Sequence, residues 1–144
     1  MDHDCIASKL KSFLSTICLC LGITIIDLAS DLLYFSHDTF TAKCKEAEYH
    51  ILKEVFAEAL SNIIICNTKY ITGHAFSTSF EDPIAVESLL QQRIPPIHNP
   101  PHDRFSELQL SKGGSHTRKY ALHFATAFGS TNAFAFYQLH CKYV

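Results

Sequence analysis

The sequence predicts a layered α/β domain built on a mixed sheet covered by helices. Three observations carry this. Apolar residues recur at helical spacing in separate segments, and short apolar runs lie between them. One of those runs is continuous, as in a strand buried on both faces. Two late strand-like runs are joined by a Gly-Ser-Thr-Asn turn, the signature of an antiparallel hairpin. The 144 residues suit one domain, 1–144, with 47% hydrophobic residues. A chain of that size buries roughly 70% of its unfolded surface, which excludes a disordered tail.

Taken in order, Ile6, Leu10, Phe13, Leu14, Ile17 and Leu21 form one helical face, and Gly22 is a natural stop. Leu32 to Phe35 reads as a buried strand feeding a loop at Ser36-His37-Asp38. Glu46 to Leu60 predicts a second helix, with Ile51, Leu52, Val55, Phe56, Ala59 and Leu60 facing inward. Ile63 to Cys66 is the continuous run and predicts a central parallel strand. Ile84 to Gln92 predicts a third helix, capped by Asp82 with Pro83 in its first turn. The prolines from Pro95 to Pro101 predict an extended, irregular segment through Arg104, and Lys112 to Ser115 a glycine loop. Tyr120 to Ala125 and Ala133 to Leu139 complete the hairpin.

Several classes of function are disfavoured. The net charge is -2, with no basic stripe, so no nucleic-acid partner is expected. Six cysteines form no Cys-x-x-Cys pair, and Cys18 and Cys20 lie in an apolar run, which suits buried thiols in a reduced, intracellular protein. Nine histidines add no recognised zinc spacing, so no metal is expected. The uncharged stretch Phe13 to Ile26 has fourteen residues, short of the roughly 20 that cross a bilayer. Asp2 and Asp4 also spoil a secretion signal. No membrane association is expected, and the expected location is the cytoplasm, with mitochondrion or plastid as alternatives.

Four segments, in order, resemble the signature of one family. Ser36-His37-Asp38-Thr39-Phe40-Thr41 is similar to the His-Gly-Thr-Gly-Thr loop of β-ketoacyl-acyl carrier protein synthases, and Glu48 follows at the family's distance. Asn67-Thr68-Lys69-Tyr70-Ile71-Thr72-Gly73-His74 resembles the family's Thr-Lys-Ser-x-x-Gly-His motif. Ile94 to Pro100 looks like its Pro-Pro-Thr-x-Asn segment, and Ala127-Phe128-Gly129-Ser130-Thr131-Asn132-Ala133 its closing Gly-Phe-Gly-Gly-Thr-Asn-Ala turn. Together the segments cover nearly the whole chain.

This resemblance implies the C-terminal lobe of a thiolase-like protein. It implies a transferase of fatty-acid or polyketide biosynthesis: an acyltransferase that decarboxylates malonyl thioester and condenses the enolate with an acyl thioester. His37 and His74 would donate to the enolate oxygen, where one such donor is worth about 2.7–4 kcal/mol of barrier. Each would have Nε2 protonated and its other nitrogen held by an acceptor. Lys69 would organise charge near His74 through Glu81, since a buried lysine needs a carboxylate. Glu48, Thr39 and Thr41 would support the first loop, and Phe128, Gly129 and Asn132 would form the pocket turn. No cofactor is implied beyond carrier-bound phosphopantetheine thioesters as substrates. The implied partners are an acyl carrier protein and either an N-terminal lobe or a homodimer partner.

The departures are specific. Asp38 and Phe40 replace two glycines, Lys45 replaces an aspartate, and Thr126 replaces a phenylalanine that gates the acyl pocket. Ser77, Thr78 and Phe80 replace small residues, and Phe80 is expected to displace its neighbours. None of the six cysteines sits at the strand-to-helix turn of the family's nucleophile, which belongs to an N-terminal half. The chain alone is therefore expected not to condense thioesters. Two alternatives stand beside a partial synthase: a degenerate, non-catalytic lobe with an interaction or structural role, and a small membrane-anchored protein using Phe13 to Ile26.

Overall fold

The computed structural model describes residues 3–39, 41–73, 77–98, 105–127 and 131–140. Helix α1 (His3–Leu21) buries Ile6, Ala7, Leu10 and Leu14. It closes at Gly22, whose φ of 66° is left-handed. The Ile23 N–H donates back to the Cys18 carbonyl and the Gly22 N–H to that of Leu19, satisfying carbonyls that the helix leaves open. A short helix follows, α2 (Ile25–Ser30). Thr24 caps it and Asp27 reciprocates on the Thr24 backbone, a complete capping box.

Strand β1 (Leu32–Phe35) is buried throughout. Helix α3 (Ala42–Phe56) starts at Thr41, whose hydroxyl accepts the Cys44 N–H. It runs into a 3-10 segment (Ala57–Asn62) and then β2 (Ile64–Cys66). One turn, α4 (Lys69–Thr72), precedes α5 (Ser77–Gln91). Strands β3 (Arg93–Pro96), β4 (Gln109–Leu110), β5 (Lys112–Ser115), β6 (Tyr120–Ala127) and β7 (Thr131–Gln138) complete the chain.

The main sheet has the order β4-β2-β1-β6-β7. β1 runs parallel to β2 and β6, and β2 parallel to β4, while β6 and β7 form the antiparallel hairpin. It is a mixed five-stranded sheet covered by helices, the fold class that the sequence implies. The strands' alternation divides the core into two sides. Leu32, Tyr34, Ile65, Leu122 and Phe124 face α1, α2 and α3. Leu33, Phe35, Cys66 and Ala121 face Ala85 and Leu89 of α5.

Several readings of local structure are corrected. α2 occupies the segment after Gly22, where apolar spacing predicts no helix. α5 begins at Ser77, so Pro83 sits inside the helix and not in its first turn. Its missing N–H is tolerated on an exposed face. Phe80 is 54% exposed and displaces nothing, because it is one residue, about 100° of helix, from the buried Glu81. Lys112 to Ser115 is no loop but a strand paired antiparallel with β3, so the proline segment is also ordered as far as Pro96. Gly113 permits this: a Cβ there would lie 3.0 Å from Pro96 Cδ, and its φ is +78°. The run at Ile64–Cys66 lies between β4 and β1, with β1 at the sheet's centre.

Candidate functional site

The carboxyl ends of β1, β2 and β6 point the same way, which is where parallel sheets carry their ligand-binding loops. The loop after β1 is built on Glu48. Its carboxylate accepts from Tyr34 Oη at 2.7 Å, Ser36 Oγ at 2.9 Å and the His37 N–H at 3.0 Å. Burial pushes this carboxyl up to about 7 despite those bonds. Asn67, just past β2, ties the loops together. Its Nδ2 donates to the Asp38 carbonyl at 2.8 Å and its Oδ1 accepts the Lys69 N–H at 2.9 Å.

The His37 ring is buried and lies edge-on to Phe124. Its Nδ1 accepts the Thr126 N–H of β6 at 3.2 Å. A neutral imidazole accepting at Nδ1 carries its proton on Nε2. The expectation of an acceptor against the other nitrogen is thus reversed: the ring nitrogen is itself the acceptor, and a backbone donor fixes it.

His37 lines a cavity of about 580 Å³ with Thr39, Thr41, Cys44, Phe124 and Thr126 among its walls. Its size lies within the usual range of small-molecule sites, roughly 300–1,000 Å³. Thr126 Oγ1 and His3 Nδ1 are buried there without a hydrogen-bond partner among the described residues. The N-terminus of α3 opens on the same space, bringing backbone dipoles that favour an electron-rich group.

On the α5 side lies a second cluster. Lys69 Nζ is 2.8 Å from each oxygen of Glu81, and both side chains are sealed from solvent. His123 Nε2 meets Glu81 Oε2 at 2.9 Å, and its Nδ1 meets Asp82 Oδ1 at 2.6 Å. Burial would raise the Glu81 carboxyl, but the bonds from His123 and Lys69 hold it below its ordinary value. Burial would lower His123, but its two carboxylate partners raise it.

The structure therefore brings Lys69 to Glu81, and His37 to Glu48, Thr39 and Thr41. Asn132 stands on β7 opposite Thr126. His74, Phe128, Gly129 and Phe40 lie outside the described residues, so the expected convergence of His37 and His74 does too. Sequence reasoning missed Tyr34, Ser36, Asn67, Asp82 and His123 as members of these networks. His123 was detectable in principle, since period-two alternation puts it on the buried face of Ala121. Among the described residues no group of three His, Cys, Asp or Glu side chains could hold a metal ion. No helix of these residues is long and apolar enough to cross a membrane.

No family model and no curated protein matches this chain. Twenty-nine solved chains do. One belongs to a complex described as AntDE:AntF (apo), a type II PKS acyl-carrier protein with its ketosynthase bound to the hexaketide. The TM-score is 0.73 at 22% identity, over 91% of this chain and 33% of that one. The chain thus spans about a third of the solved chain's length.

The expectation of a partial 3-oxoacyl-[acyl carrier protein] synthase is corrected here, together with its transferase and acyltransferase readings. The solved likeness is to a complex that an acyl-carrier protein shares with a ketosynthase, and at this identity it carries a fold and no activity. Burial raises the Cys18 and Cys44 thiols and pushes Cys66 up to about 12. The membrane-anchored alternative loses its basis as well, since Phe13 to Ile26 is split between α1 and α2 at Gly22.

Proposed function

We propose that this chain is a non-catalytic binding lobe for a thioester-linked acyl group, working in an acyl-carrier-dependent assembly inside the cell. The observation that carries the reading is the Thr126 N–H bond to His37 Nδ1. It makes the ring an Nε2–H donor in the wall of a cavity that also holds the Thr126 hydroxyl, unpartnered among the described residues. A carbonyl oxygen is the matching acceptor. The phosphopantetheine arm of an acyl carrier protein would deliver it, and no further cofactor is needed.

The descent suggested by the histidine loops, a thiolase-like C-terminal lobe, belongs to this proposal and is supported by the solved fold likeness. A partner chain of ketosynthase type, or a second copy, fits the exposed Tyr70, Ile71 and Phe80 on adjoining α4 and α5.

Calorimetry with an acyl pantetheine amide, a non-cleavable thioester mimic, tests the reading. Binding by the wild-type chain, weakened about 3- to 10-fold in His37→Ala, is the expected result. No binding by either chain would overturn it. A covalent mass gain from the true thioester would instead make the chain a carrier of the acyl group.

A further inference from the structure

We propose that His123 is held as an imidazolium between Glu81 and Asp82, and that its charge locks α5 onto the sheet and keeps Glu81 aimed at Lys69. The inference stands apart from the acyl-binding reading, because it concerns the opposite face of the sheet. Ionised carboxylates only accept hydrogen bonds. His123 has a carboxylate oxygen at each ring nitrogen, at 2.9 and 2.6 Å. A neutral imidazole has one proton and could satisfy only one of them; the imidazolium satisfies both. The ring is 2% exposed, so water does not substitute.

Among the described residues, four elements supply its surroundings. α5 supplies Glu81 and Asp82, and α4 supplies Lys69. β7 supplies Tyr137, whose hydroxyl bonds Asp82. β1 supplies the apolar Phe35, the register partner of His123. With His123 charged, two cations face two anions. With it neutral, the pair of adjacent carboxylates keeps only Lys69, and one ring nitrogen turns an unshared lone pair toward a carboxylate oxygen.

The sign follows from linkage. The folded-state value of His123 is raised. Its stabilisation is fully present below the unfolded value of about 6.5 and is lost as pH rises through the raised folded value. α5 therefore loosens on the alkaline side. The test is long-range proton–nitrogen NMR on the full ¹⁵N-labelled chain across pH 5–9. Both His123 nitrogens should remain protonated at pH 7.5. Asp82→Asn, at a side chain 31% exposed, should fold and should move the His123 midpoint down. It should also shift the onset of faster α5 amide exchange to lower pH. A neutral His123 ring at pH 7.5 in the wild type, or a midpoint unmoved by Asp82→Asn, would overturn the proposal.

Discussion

Lys69 Nζ lies 2.8 Å from both carboxylate oxygens of Glu81, with neither side chain open to solvent. Such a pair offsets the desolvation of its members, and breaking it on one side leaves a buried charge unmatched. Glu81→Gln should cost about 3–5 kcal/mol of unfolding free energy. Adding Lys69→Met should recover a large part, because the second change removes the stranded cation. Urea unfolding of the two variants measures this, and a double variant no more stable than the single would contradict it.

Glu48 makes a second pH-dependent contribution, of the opposite kind from an ordinary ion-paired carboxylate. Its folded value is raised from 4.5 to about 7. The folded state therefore holds a proton that the unfolded chain has released, and stability falls as pH rises from about 4.5 to about 7. The full shift corresponds to about 3 kcal/mol. The difference in stability between wild type and Glu48→Gln should move in the variant's favour across that window. Denaturant midpoints at pH 4.5, 5.5, 6.5 and 7.5 provide the comparison.

Gly113 faces Pro96 across the two-stranded sheet. Gly113→Ala should cost about 1–2 kcal/mol, from left-handed strain together with the Cβ contact. Amide exchange at Ile94 and Ser115 should accelerate with it. Stability within about 0.3 kcal/mol of wild type would show that the β3–β5 pairing adjusts freely.

Cys66 should stay unmodified by iodoacetamide at pH 8 in the native chain, while the exposed Cys5 and Cys20 react. Its thiol is buried and pushed up to about 12, and only the thiolate attacks. Peptide mapping after a timed exposure distinguishes the sites.

The elements with strong period were legible in the sequence. α1, β1, α3, β2 and the hairpin follow from apolar spacing, because each buries one face or both. The contact of Lys69 with Glu81 was legible only through the family resemblance, which places a buried lysine at Lys69 and so requires a carboxylate within reach. Other features were set by tertiary context. Pro83 was read as a helix start, yet packing of Glu81 and Ala85 extends α5 back past it. The glycines of β5 carry no strand propensity; the close approach of Pro96 explains Gly113, and a left-handed φ of +102° explains Gly114. α2 was missed although Thr24 and Asp27 stand at capping-box spacing. The bridging by Asn67 and the double contact of His123 join residues 29 to 42 positions apart, which no local pattern encodes.

The tautomer of His37 tests the acyl-binding account most directly. In ¹⁵N NMR of the full chain at pH 7.5, the account predicts a neutral ring with its proton on Nε2 and a bare Nδ1 accepting from Thr126. It also predicts that acyl pantetheine amide shifts the Nε2–H resonance. A proton on Nδ1, or an Nε2–H signal indifferent to saturating ligand, would contradict it.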